Sequence, residues 1–449
     1  MSKQLNEPIT DNGIRNTNFF NGRLLTARDL QTDQQAERSK RWQLGRAIGD
    51  GVVEGFEVIL QSPGDRTTLP VVGVKKGLAI NRKGQVLSLP NDDEVTLIRR
   101  IELPPPEAGV FGDCGLPTST FTNLDRGVYL FVVGPASTFR ERAPMRSVEP
   151  NNAVTGCGSK YAVEGVQFDL IKLDFGRMTA VSPATRTQIN DLMRLEDAAS
   201  RSKLRNLLAH LCFGTEELLN LPIEPFKQTS GKADLSSYGA VDFMRSRGEV
   251  TDCQVPLALL YWSGSGLAFA DLWSVRRRVS PTGTSNQLPT LLDQRRATEG
   301  EAVIKQFQQH AEDLRSRETF PDRINASQYF RYLPAAGMLP VRSSRQKGFD
   351  VDTFFAGIAH RIPEFMDGGV LRVLFCEAVN YQPIDLTNRE MVWLYKVRQN
   401  ENQPGSPPYF VFASPHVPHR ALPRFDVSWW DFGHFQDRPS DAGILEERV

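Results

Sequence analysis

His416 and His419, three residues apart in Pro-His-Val-Pro-His, are the first candidates for chemistry, because closely spaced imidazoles can share a zinc ion. Two prolines keep that stretch off a helix and no third ligand lies near, so a solvated loop is expected. His210 and Cys212 could pair as base and nucleophile. They stand two apart on what reads as a helix and point to different sides, which places Cys212 in the core. Gly49-Asp50-Gly51 superficially resembles a phosphate loop, yet it follows a helix where the dinucleotide-binding turn follows a strand. The motifs HExxH, GxSxG and GxxxxGKS/T do not occur. With 53 acidic residues, no carboxylate pair can be singled out. No catalytic, cofactor-binding or metal-ligating residue is expected, and the chain is not expected to be an enzyme.

Arginines and aromatics in aperiodic contexts carry more information. Arg276-Arg277-Arg278 follows Trp273, and Arg140 and Arg142 flank Glu141. Such clusters can grip single-stranded nucleic acid or form the polar rim of a protein interface. The 53 basic residues are balanced by 53 acidic ones, so the interface reading is preferred and no nucleic-acid partner is expected. Asn-Phe-Phe near the start, Tyr-Phe-Arg-Tyr-Leu-Pro in the middle and Val-Ser-Trp-Trp-Asp-Phe near the end add the residue types that anchor interfaces. The interface candidates are therefore Phe19, Phe20, Arg23, Trp42, Trp273, Arg276, Arg277, Tyr329, Trp429 and Trp430. Plugging a domain core is the competing role for each aromatic.

The elements that must hold these residues form a β-rich α+β chain. At 449 residues, 40% hydrophobic and 24% charged, the composition is globular and long enough for two or three cores. Three units are expected, 1–103, 104–285 and 286–449. In the first, Thr26 and Asp29 make a capping-box pattern ahead of a polar helix over 27–48. A small antiparallel sheet follows, with a strand over 51–60 and a hairpin at Asn81-Arg82-Lys83-Gly84.

A Pro-Pro-Pro linker at 104–106 leads to the split α+β middle unit. It has strands at 128–133 and 168–175, with a long excursion between them. Leu204, Leu207, Leu208 and Leu211 then stripe a helix ending at Gly214, and a hairpin crosses Ser263–Gly266. The third unit opens after a polar linker over 280–294 with a helix over 298–315. It continues as a β-sandwich-like set of strands at 370–377, 391–398 and 409–413, before a loose end at 438–449.

The five cysteines are widely spaced and odd in number, so they read as thiols of a reducing cytosol. The polar Met1–Gly13 stretch and the lack of a long apolar run predict neither a signal peptide nor a membrane-spanning helix.

The segment from Asn18 to Val58 carries a paired aromatic (Phe19, Phe20), then Gly22, Arg23, Leu24, Leu25 and Thr26, then Asp29 and Leu30. A helix follows, and after it Gly51, Val53, Gly55 and Val58. Gly77-Leu78-Ala79-Ile80 and Gly84-Gln85-Val86-Leu87 continue it. This pattern resembles uncharacterised structural, baseplate-associated proteins of contractile injection systems, which are phage-tail-like particles. Phe56 stands where that pattern more often has leucine. The likeness is dense over the first hundred residues or so and patchy beyond them, at 255–278 and 329–341. It implies a non-enzymatic subunit at the baseplate or spike periphery, or one anchoring the particle. Its partners would be baseplate, spike or sheath proteins, in several copies of a threefold or sixfold assembly, with membrane contact at most indirect. The chain would be cytoplasmic as synthesised and assembled into the particle, without a cofactor. A carbohydrate- or surface-binding module is the alternative, and a hydrolase the third.

Overall fold

The computed structural model describes residues 10, 13–64, 70–97, 125–145, 156–178, 181–215, 239–263, 265–280, 294–343, 346–397, 409–418, 424–425 and 435–436. Helix α1 (Ala27–Ile48) begins with the expected capping box. The Thr26 hydroxyl accepts from the Asp29 amide and the Asp29 carboxylate accepts from the Thr26 amide, at 3.2 and 3.0 Å.

Strands β1 (Gly51–Gly55) and β2 (Val58–Ser62) read as one strand in the sequence but are two. The chain turns between them at Gly55 (φ 63) and Phe56 (φ 56). A left-handed backbone costs a non-glycine residue roughly 1–2 kcal/mol. Complete burial of the Phe56 ring (0% exposed) offsets that strain. Then come β3 (Val71–Val74), β4 (Gly77–Ile80), β5 (Val86–Leu89) and β6 (Asp93–Thr96). The turn deals them into two antiparallel sheets, β1-β4-β5 and β2-β3-β6. The β4–β5 hairpin turns at Gly84 (φ 80), as its sequence requires.

The centre is a four-stranded antiparallel sheet. Its elements in chain order are β7 (Gly127–Met145), β8 (Gly156–Lys172), α2 (Pro183–Arg194), α3 (Ala198–Phe213), α4 (Gly239–Ser246), β9 (Val255–Trp262) and β10 (Leu267–Asp271). The strand order is β10-β9-β7-β8. Side chains of β7 alternate between two cores. Val128, Leu130 and Val132 pack with Ile189, Leu204, Leu208 and Met244 of the helices. Tyr129, Phe131 and Val133 pack with Val52, Phe56, Val72 and Leu87 of the small sheets. The sheet is thus buried on both faces, which explains why residues 128–133 read as a continuous apolar run. The excursion expected between the two strands is instead their continuation, a paired ribbon in register from Tyr129↔Lys172 to Met145↔Gly156. Its polar sequence reflects exposure rather than irregularity.

The main elements of the remainder are α5 (Gln294–Arg317), β11 (Tyr332–Leu333), β12 (Ala336–Pro340), β13 (Glu364–Met366), α6 (Gly368–Ala378), β14 (Ile384–Asp385), β15 (Trp393–Val397) and β16 (Tyr409–Ala413). The sheet order is β12-β16-β15-β13, with β13 parallel to β15 and the other pairs antiparallel. Phe307, Ala311 and Leu314 of α5 enter a core with Phe330, Phe354 and Phe412. The strand expected over 370–377 is helix α6. Val370, Val373, Leu374 and Ala378 are buried at helical spacing, and an apolar run this short has no periodicity to distinguish helix from strand.

The molecule is α+β and rich in strands, as the sequence predicts. The linker at 104–106, residues 281–293 of the linker expected over 280–294, the end at 438–449, and Cys114, His419, Trp429 and Trp430 lie outside the described residues. Cys212 is a buried free thiol and Cys376 an exposed one, whereas Cys253 is disulfide-bonded and corrects the reading of every cysteine as a thiol.

Candidate docking interface

The approach to α1 is organised by Arg23. Its guanidinium donates to the Asn18 carbonyl at 2.6 Å and to the Asp29 carboxylate at 2.5 Å, and lies 5.9 Å from the Phe20 ring centre. The Thr17 hydroxyl donates to the Asp29 carbonyl at 2.8 Å. Asp29 is therefore shared between the helix cap and the aromatic turn. Hydrogen bonds from the Thr26 hydroxyl and amide, then the charge of Arg23, hold its carboxyl below the usual range. The turn so fixed leaves Phe19 54% exposed, Phe20 63% and Leu24 90%. These apolar side chains meet water although the turn that carries them is tied down.

The other sequence candidates lie elsewhere. Trp42 is half-buried toward the far end of α1, about 22 Å along the axis from Ala27 at 1.5 Å per residue. Trp273 has two cations against its ring, Lys305 at 4.3 Å and Arg276 at 5.4 Å from its centre. Arg276 is buried and donates to the Gly55 carbonyl at 2.5 Å, which pins the segment after β10 to the β1–β2 turn. Arg277 pairs with Glu299 of α5 at 2.5 Å and covers the Phe213 ring at 4.9 Å. Both arginines direct their donors inward, and Arg278 is the exposed member of the triplet. Tyr329 is half-buried, its carbonyl accepting from the Ser202 hydroxyl at 2.9 Å. Of the described candidates, the structure brings together Phe19, Phe20 and Arg23, and separately Trp273, Arg276 and Arg277.

Sequence reasoning missed a buried polar seam along α3. Arg205 donates to Asp271 at 2.5 Å and to Asp313 at 2.6 Å. Asp271, fully buried, also accepts from the Gln306 amide at 2.9 Å, the Ser274 amide at 3.0 Å and the Ser274 hydroxyl. Nearby, His310 shares a 2.9 Å hydrogen bond with Ser202, and His210 one of 2.9 Å with Thr215. Burial drives the His210 imidazole down to about 3 and the His310 imidazole well below its ordinary value, so both are neutral. The one signal in the sequence was a charge inside the apolar stripe of α3, at Leu204-Arg205-Asn206-Leu207.

A cavity of about 60 Å³ is lined among others by Asp50, Arg82, Cys212, Asp242, Arg245 and Glu299. Arg82 bridges Asp50 and Asp242 at 3.4 and 3.3 Å. Burial pushes the Cys212 thiol up to about 12, so it is no thiolate nucleophile. Among the described residues there is no group of three or more His, Cys, Asp or Glu able to hold a metal, and no helix is long and apolar enough to cross a membrane.

No protein-family model matches the chain, and no curated protein matches it. Among solved structures it is similar to TssK, at 11% identity and a TM-score of 0.18, over 53% of this chain and 54% of that one. It is also similar to the TssK–TssF–TssG baseplate subcomplex of the type VI secretion system, at 14% identity and a TM-score of 0.16, over 49% of this chain and 78% of that one. The chain thus spans about half the length of the TssK structure it matches.

Proposed function

We propose that this protein is a non-enzymatic structural subunit of a phage-tail-like contractile injection particle, at the baseplate or spike periphery or anchoring the particle. Its doubly covered central sheet is the rigid body, and the segment before α1 is the docking element. The observation that carries the reading is the exposed Phe19-Phe20 pair held by the Arg23–Asp29 bridge at a capped helix start. Burying two phenylalanine rings on a neighbour contributes roughly 1.5–3 kcal/mol each, and many copies in a symmetric particle multiply so modest a contact. Neighbouring baseplate, spike or sheath subunits are the partners this requires.

The test is co-sedimentation and electron microscopy of the native lysate with the chain tagged. Recovery on tail-like particles at fixed stoichiometry supports the proposal. Recovery solely as free protein, with no sheath or tube subunits beside it, overturns it and turns attention to glycan binding.

A further inference from the structure

Along α1 the residues Leu30, Gln34, Glu37, Arg41, Leu44 and Ile48 follow one another at alternating spacings of four and three, and all six are exposed. That is the seam spacing of a two-stranded coiled coil. The helix meets the body on another side. Gly45 abuts Gly84 and Arg38 pairs with Glu164 at 3.2 Å, roughly 60–80° around the axis from this seam at 100° per residue. Charge is unevenly divided along the helix. Ala27–Glu37 carries one arginine and three acids, whereas Arg38–Ile48 carries three arginines and a lysine and no acid. Complementing the helix dipole accounts for charge in the end turns. In the middle, Glu37 pairs with Lys40 of its own helix at 2.7 Å, an exposed pair of little strength that leaves the Glu37 side chain 52% open to a second cation.

We infer that α1 is a self-association surface whose occupant is the α1 helix of a second copy of this chain, packed antiparallel about a twofold axis. The seam reads the same in reverse once a copy is turned end for end. Leu30 then meets the partner copy's residue 48, Gln34 its residue 44 and Glu37 its residue 41. The contact has apolar pairs at both ends and opposite charges at the centre, with each half of the helix facing the half of opposite charge. A parallel pair would instead set glutamate beside glutamate and arginine beside arginine, which selects the antiparallel arrangement. The body meets each helix from its middle to its C-terminal half, at Ala36, Arg38 and Gly45, so the antiparallel arrangement sets the two bodies toward opposite ends of the pair. Such a contact is isologous and closes on two copies. With half its seam polar it is weak and specific rather than tight. It involves the isolated chain alone and does not depend on the particle assignment.

Sedimentation velocity of the full chain over a concentration series tests this. A monomer–dimer equilibrium is expected, weakened by salt because the central pairs are exposed. Glu37→Arg and Arg41→Glu should each raise the dissociation constant roughly tenfold, since two symmetry-related pairs turn repulsive. The double variant E37R/R41E should restore it, because the exchanged charges again meet across the twofold axis. Circular dichroism on each variant separates loss of helix from loss of pairing. A chain that stays monomeric at every concentration overturns the inference. So does a dimer indifferent to the single charge changes, or one weakened by them and not rescued by the double.

Discussion

Gly45 of α1 and Gly84 of the β4–β5 turn touch backbone to backbone. A Cβ on Gly45 would overlap the Gly84 carbonyl, and a Cβ on Gly84 would overlap the carbonyl of Trp42. Gly84 also holds φ +80, so its lack of a side chain is required twice, by conformation and by proximity. This contact, with the Arg38–Glu164 pair, seats a largely polar helix on the body without burying an apolar face.

Gly45→Ala should therefore lift α1 off the turn while leaving the central sheet intact. The overlapping atoms are backbone and cannot rotate away, so a destabilisation of about 2–4 kcal/mol is expected. Hydrogen exchange should localise it, with protection lost across Ala27–Ile48 and kept in residues 128–133. Equal loss in both regions would mean that α1 is part of the cooperative core.

Asp271 anchors the seam between the middle sheet and α5. Asp271→Asn removes the charge that Arg205 faces at 2.5 Å and leaves the guanidinium to Asp313, which is partly exposed. Breaking one side of a buried pair costs about 3–5 kcal/mol, and the denaturant midpoint should fall accordingly. Combining it with Arg205→Met should recover much of that loss, since the stranded charge is then gone. A double variant as unstable as the sum of the singles would show the two residues to be uncoupled.

His210 and His310 make stability depend on pH. Both imidazoles are neutral in the fold because burial depresses them, His210 to about 3. In the unfolded chain they titrate near 6.5. Below that pH the unfolded state binds protons that the native state refuses, so stability is full above about 6.5 and declines as pH falls toward the folded value. Each histidine contributes a slope of about 1.4 kcal/mol per pH unit within that window. Denaturation curves at pH 7.5, 6 and 5 should record it, and His310→Gln should flatten the decline whatever it does to absolute stability. An unchanged slope in that variant would place the proton uptake on other groups.

What could be read from the sequence was local. The Thr26–Asp29 cap, the Gly84 turn and the leucines of α3 each announce themselves within a few residues, and the structure has all three. Residues 370–377 read as a strand and fold as a helix because Val-Leu-Arg-Val-Leu-Phe-Cys-Glu is apolar on several sides, so its pattern does not separate the two states. The break at Phe56 had no signal, since nothing in a phenylalanine foretells a left-handed backbone. The seam was invisible for a third reason. Asp271 and Asp313 lie 66 and 108 residues from Arg205 and acquire meaning only when the chain is folded.

Phe19 and Phe20 distinguish a docking element from a misplaced piece of core. Both rings are more than half exposed, so replacing both with alanine should change the stability of the isolated protein by no more than about 0.5 kcal/mol. A core pair would cost about 3–5 kcal/mol per ring instead. Arg23→Ala should act differently, since it releases both the Asn18 carbonyl and the Asp29 carboxylate and frees the turn while leaving the rings present. If docking depends on a pre-organised turn, R23A should reduce recovery on the particle nearly as much as the double phenylalanine variant, at unchanged melting temperature. Recovery unaffected by either change would remove this segment from the contact, and a large fall in melting temperature for the double variant would return both rings to the core.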